Sequence, residues 1–212
     1  MTLSRGLPTL AAVAALAVGL GGCVTLFPAS KPAQLYAFGK AFPVRQQAAE
    51  GAPAFHVLRA HTEFNRAAAG DRILTLNGQE AAYIAESRWI SPASTLFDEA
   101  EVNAFTADGG PAKLSGPGQI AGATAELRLD VGAFEARYPG SLKAAPTVVV
   151  SVHAVLVALP DRHVIAEKTF EVSKPAGDNR VGDIVAAFNA ATVDVLSQTA
   201  TWTDSQAPAT RS

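Results

Sequence analysis

The sequence predicts an α/β domain: a mixed sheet of about six to seven strands with two main helices, the C-terminal helix packed on the sheet. The clearest strand is the stretch in which Ala125, Leu127, Leu129 and Val131 alternate with Thr124, Glu126, Arg128 and Asp130, the period of a half-buried strand. From Thr147 to Leu159 the chain is apolar on both faces, as in a strand covered above and below. Between Asp178 and Ala200, residues Val181, Ile184, Val185, Phe188, Ala191, Val195, Leu196 and Thr199 recur three and four apart, which makes an amphipathic helix.

The N-terminus reads as an export signal. Arg5 is the only charge before a small and apolar run from Leu7 to Leu20, and that run is shorter than the ~20 residues a spanning helix needs. It closes on Leu20-Gly21-Gly22-Cys23, which resembles the lipobox of bacterial lipoproteins. The resemblance implies cleavage before Cys23 and acylation of that residue. Cys23 is the only cysteine of the chain, so no intrachain disulfide forms and stability rests on a packed core. The expected organisation is residues 1–22 as signal peptide, 23–34 as lipidated cysteine and tether, 35–202 as the domain and 203–212 as a flexible tail. Eleven tether residues, with Pro28 and Pro32 among them, reach at most about 35 Å when extended. The domain therefore stays close to the membrane that holds its lipid.

Within the domain, Leu35-Tyr36-Ala37-Phe38 and Ala54 to Ala60 predict short strands, separated by an Ala- and Gln-rich loop from Ala41 to Pro53. Ile73 to Leu76 and Ala81 to Ile84 flank Asn77-Gly78, which predicts a hairpin with a type I′ turn. Ser91-Pro92 supplies an N-cap and a first-turn proline for a helix of about three turns bearing Leu96, Phe97, Ala100 and Ala104 on one face. Asp108-Gly109-Gly110-Pro111 ends it, and Gly132 predicts a bulge that brings Phe134 into the apolar set. The strand from Thr147 to Leu159 turns at Pro160-Asp161-Arg162 and returns through Val164 to Val172, a hairpin expected at the sheet centre.

Composition limits the function classes. Removing residues 1–22 leaves 16 basic and 19 acidic side chains, a formal charge of −3, which does not suggest nucleic-acid binding. There is no Gly-x-Ser-x-Gly elbow, and Gly116-Pro117-Gly118 lacks the strand and helix of a phosphate loop. His56, His61, His153 and His163 show no metal-binding spacing, so neither a metal nor a cofactor is expected. Ser151 and His153 share a strand face, which hints at a catalytic pair, although sheet packing explains them better. Asp98, Glu99 and Glu101 read as a solvated acidic helix face. Trp89, at a strand-to-helix junction, is expected to pack against the core, with a partner interface as the alternative.

The lipobox, the Leu35-Tyr36-Ala37-Phe38 strand, Ile73 to Leu76, the Ser87-Arg88-Trp89-Ile90-Ser91-Pro92 junction, the strand at Arg128-Leu129-Asp130-Val131 and the final helix together resemble the ABC-type transport auxiliary lipoproteins. The resemblance covers roughly Leu35 to Ala200. It implies an outer-membrane lipoprotein facing the periplasm, working with an inner-membrane ABC transporter and a substrate-binding protein of the mammalian-cell-entry type in lipid traffic. It implies no catalysis, and it admits a homo-oligomer because relatives assemble into rings. Val24 stands where an aspartate is associated with inner-membrane retention, which agrees with the outer membrane. Two other classes fit the residues: a lipid-anchored envelope hydrolase, and a structural lipoprotein that binds the cell wall.

Overall fold

The computed structural model describes residues 32–45, 54–116, 122–159 and 161–208. The signal peptide, Cys23, nearly all of the tether, Pro117, Gly118, Pro160 and residues 209–212 lie outside them. The strands are β1 (Gln34–Tyr36), β2 (Phe55–Arg59), β3 (Glu63–Phe64), β4 (Arg72–Asn77), β5 (Glu80–Trp89), β6 (Ala112–Ser115), β7 (Ala125–Tyr138), β8 (Thr147–Ala158) and β9 (Val164–Pro175). Two helices join them, α1 (Ala93–Asp108) and α2 (Val181–Ser205). The architecture is the expected mixed sheet with two helices, and its strands number nine among the described residues.

β7 organises the sheet. One edge pairs antiparallel with β8 along nearly its whole length, and the other is tiled by three short parallel strands: β2 at Ala125 to Leu127, β3 at Asp130 and Val131, and β4 at Ala136 to Tyr138. β6 continues the sheet beyond β2, while β5 and then β1 continue it beyond β4. The β7–β8 register slips between Val131 and Ala133, so the bulge at Gly132 is present and Phe134 turns to the inner face. Asn65 Nδ2 donates to the Gly132 carbonyl at 3.1 Å, satisfying a group that the bulge removes from the ladder.

Alternation then sorts the side chains. Leu127, Leu129, Val131 and Phe134 of β7 meet Leu156, Ala154, Val152 and Val150 of β8 on the face that the helices cover. Every apolar position expected on α2 is buried except Val181, which is partly covered. Phe134 lies among Phe38 (5.0 Å between centroids), Phe64 (5.4 Å), Phe97 (6.3 Å), Trp89 (6.2 Å) and Phe188 (4.9 Å), an aromatic centre joining sheet, both helices and the segment after β1.

That segment is held at Gly39, whose φ of +69° suits glycine and whose Cα abuts Ala100 so closely that a Cβ would collide with the alanine methyl. Asn189 Oδ1 accepts from its N–H at 2.9 Å, and Asn103 Nδ2 donates to its carbonyl at 3.1 Å, so one asparagine from each helix clamps it.

Four local expectations are corrected. Asn77 pairs with Glu80 inside the ladder, so the β4–β5 turn is Gly78-Gln79; Gly78 alone takes a positive φ, as a type II′ turn requires and a type I′ turn does not. The β8–β9 hairpin closes one side of the sheet, with β9 as the edge and β7 at the centre, because β7 gathers partners from both halves of the chain. α1 has 16 residues, and Pro92 rather than Ser91 stands at its cap; the N–H groups of Ala93 and Ser94 donate to the carbonyls of Gly70 and Ala69. The tail expected from residue 203 begins later, since α2 continues through Ser205 with Thr203 buried.

Candidate functional site

Trp89 is 2% exposed, its ring edge-on to Phe38 at 5.0 Å and to Phe188 at 5.4 Å. It is a core residue and presents no surface to a partner, which removes the interface alternative. Ser151 and His153 do share the outer face of β8, yet they engage different neighbours. His153 Nδ1 meets Thr169 Oγ1 at 3.1 Å and its Nε2 lies 3.9 Å from Glu167, whereas Ser151 sits across from Ala133 and Glu171. No hydrogen bond joins the two, so the geometry of an activated serine is not formed. His163 bonds Asp161 at 2.8 Å on the surface of the β8–β9 turn, and that bond holds the Asp161 carboxyl below its ordinary value. Among the described residues, no three histidines, cysteines or carboxylates gather as a metal site would require.

The acidic run on α1 divides. Glu99 is exposed and pairs with Lys40 at 2.7 Å, but Glu101 is 0% exposed and faces the sheet. It lies four residues after Phe97 and four before Phe105, on the buried stripe, so reading the three acids by adjacency rather than by face misplaces it. Arg59 of β2 reaches Asp98 at 3.2 Å and Glu101 at 3.6 Å. One guanidinium balances one of the two carboxylates and leaves the other in excess. Burial pushes the Glu101 carboxyl up to about 8, with the Asp98 charge adding to the effect and Arg59 opposing it, so Glu101 is the acid that keeps its proton.

A second carboxyl pair ties the two helix ends together. Asp108, in the last turn of α1, accepts from Arg45 at 3.0 Å and from Thr201 Oγ1 at 3.2 Å. Asp204, in the last turn of α2, accepts from the Ala112 N–H at 2.8 Å, and it comes so near Gly110 that any side chain there would displace it. Asp204 is raised to about 7, first by burial and then by the hydrogen bond to Asp108 and the Asp108 charge, against the Ala112 N–H and Lys113. Burial acts on Asp108 in the same direction, but hydrogen bonds from Asp204, Arg45 and Thr201 outweigh it and hold that carboxyl below its ordinary value. The two carboxyls titrate as a pair, Asp204 holding its proton to higher pH than Asp108.

Beside this pair, an open groove of about 600 Å³ runs between the last turns of α2 and the edge strand β9. Phe170 and Trp202 form its apolar wall, their rings edge-to-face at 5.9 Å. Arg45 and Lys168 supply cations, with Lys168 Nζ 5.1 Å from the centre of the Phe170 ring, and Ser197, Thr201 and Ser205 bring hydroxyls. Arg45 is engaged by Asp108, and the Thr201 and Ser205 hydroxyls donate to the carbonyls of Ser197 and Trp202, so among the described residues Lys168 is the groove's cation without an ion-pair partner. Sequence periodicity puts Trp202 one turn past Gln198 on α2, but the approach of Arg45 and β9 to that turn comes from tertiary packing and has no local signal.

No curated protein sequence matches this chain. Among solved structures, a crystal structure of a Xanthomonas campestris protein, assigned to a domain family of unknown function, matches with TM-score 0.68 and 24% identity over 82% of this chain and 96% of the other. A second crystal structure, of an uncharacterised protein, matches with TM-score 0.63 and 12% identity over 82% and 99%. At such identities these likenesses establish the fold alone. The model of a family described as the ABC-type transport auxiliary lipoprotein component matches residues 39–200, from the clamped Gly39 to the penultimate turns of α2. The chain belongs to the ABC-type transport auxiliary lipoprotein component family.

Proposed function

We propose that this protein is a lipid-anchored periplasmic component of an ABC-type lipid transport system of the mammalian-cell-entry kind, acting by binding partner proteins rather than by catalysis. The observation that carries the reading is the family match across residues 39–200, nearly the whole folded domain. Residues 1–22 serve as signal peptide, Cys23 bears the acyl chains, and residues 24–34 tether a domain of residues 35–202 to the inner leaflet of the outer membrane. The short tether gives the division of labour its physical reason: a domain confined to about 35 Å from its anchor needs a second component to supply the remaining distance. That component is an inner-membrane ABC transporter with its mammalian-cell-entry-type substrate-binding protein. Self-assembly into a homo-oligomer is compatible with this role. The separation of Ser151 from His153 as bonding partners supports binding over hydrolysis.

Cys23→Ala and deletion test the reading together. A single acyl chain holds a membrane only marginally, at ~0.8 kcal/mol per buried methylene, whereas several make release negligible. The alanine variant is therefore expected as soluble protein or unprocessed precursor, while density-gradient separation places the parent with outer membranes. Deleting the protein is expected to weaken the outer-membrane barrier as loss of the transporter does. An alanine variant that is processed and still firmly membrane-bound contradicts the anchor, and a deletion that leaves lipid traffic unchanged contradicts the transport role.

A further inference from the structure

We propose that the last turns of α1 and α2 form a proton-dependent clasp, closed while Asp204 is protonated and loosened at the Gly109-Gly110 connection once Asp204 ionises. Four segments supply its parts. Arg45, after β1, donates to Asp108 at 3.0 Å through its guanidinium and to the Ala107 carbonyl at 3.0 Å through its backbone N–H. From α2, Asp204 accepts from the Ala112 N–H of β6 at 2.8 Å. The two carboxyls are also hydrogen-bonded to each other, a contact that two carboxylates cannot make because both are acceptors only. Cations are few around the pair. Arg45 answers Asp108, Lys113 of β6 faces Asp204 from beyond ion-pair distance, and Lys168 of β9 stands across the groove against the Phe170 ring. Neither last turn carries a basic residue, and the helix dipole disfavours negative charge at both. Because the guanidinium sits on Asp108, the proton stays on Asp204. When that proton leaves, Arg45 keeps Asp108 in place and Asp204 parts from it. Gly109 takes a φ of +67°, and Gly110 lies against the Asp204 carboxyl with no room for a Cβ, so displacing the carboxyl moves this connection. Asp204 stands at about 7 in the closed clasp and returns toward its ordinary 3.8 when released. Opening is therefore favoured about tenfold per pH unit from the ordinary carboxyl range up to about 7, and is level above it.

Hydrogen exchange tests the clasp through the Ala112 amide, whose acceptor is Asp204. The full-length acylated protein, anchored in phosphatidylcholine vesicles, is followed between about pH 5 and pH 8, with rates corrected for the intrinsic pH dependence of exchange. Protection at Ala112 and over the last turn of α2 is expected to fall about tenfold per pH unit up to about 7 and then to level off. Asp204→Asn keeps an acceptor for Ala112 and offers Asp108 a donor at every pH, so its protection is expected to be independent of pH. Glu101→Gln alters the other buried acid and is expected to keep the parent's profile at Ala112, with circular dichroism establishing that both variants are folded. Three results overturn the proposal: protection at Ala112 that does not change with pH, the same dependence in Asp204→Asn, or protection at Ala112 that falls only together with that of the core strand β8, which makes the event global. Should the asparagine variant not fold, the first and third results still decide on the parent alone.

Discussion

At the scale of single residues, the buried acids make stability depend on pH in a definite direction. Glu101 is raised from 4.5 to about 8 and Asp204 from 3.8 to about 7, both first of all by burial, so between these values the native protein holds more protons than the unfolded chain. Stability is fully present below the ordinary carboxyl values and is lost as pH rises through the native ones. The melting temperature should therefore fall between pH 5 and pH 8.5. Glu101→Gln keeps the shape without the charge and should flatten most of the fall near pH 8, melting several degrees above the parent there, at about 2–4 °C per kcal/mol for a domain of this size. Parallel profiles for the two proteins would show that Glu101 is charged in the native state. Gly39→Ala tests the clamp between the helices: a left-handed φ costs a side chain about 1–2 kcal/mol, and the collision with Ala100 adds roughly 1–3 kcal/mol. Chemical denaturation should show that loss; an unchanged midpoint would mean that the segment after β1 is not wedged against α1. The burial of Glu101 is legible from its place between Phe97 and Phe105 on the α1 stripe, whereas its pairing with Arg59 and the approach of Gly39 to Ala100 depend on contacts between residues far apart in the chain.

Elements were legible in proportion to their periodicity. The α2 stripe, the alternation on β7, the bulge at Gly132 and the apolar face of α1 all follow from local spacing, and all stand where the spacing puts them. β3, with two residues, and β6, with four, carry too few side chains to show a period, and exist because the strands beside them, β7 and β2, offer unpaired backbone groups. The β8–β9 hairpin was legible as a hairpin but not in its place, since a strand's neighbours are chosen by the whole chain. The stripe on α2 makes a sharp prediction. Phe188 lies 4.9 Å from Phe134 and is fully enclosed, so Phe188→Asp loses about 3–5 kcal/mol of aromatic burial before the cost of a buried carboxylate is added. That loss rivals the whole ~5–15 kcal/mol stability of a domain. Calorimetry should find no cooperative transition near the parent's, and a variant melting within a few degrees of the parent would remove Phe188 from the core.

For the whole molecule, the fold separates two surfaces. The inner face of the sheet is closed by α1 and α2, with the groove at the end of α2, while the outer face of β7 and β8 carries Glu126, Arg128, Asp130 and His153 toward solvent. Val149 and Val157 lie on the same face of β8 and are buried, so that face is mixed rather than polar throughout. The Ser151→Ala, His153→Ala double variant should fold and keep both partner and function, because the two residues engage different neighbours. The central claim, that the protein works by binding a transport partner, is tested most directly by crosslinking the full-length lipoprotein in intact cells and identifying what it captures. The account predicts a periplasmic protein of the mammalian-cell-entry type, recovered with the parent and with the double variant alike. Recovery of cell-wall components in its place, or of no transport protein under conditions that capture other envelope complexes, would contradict it.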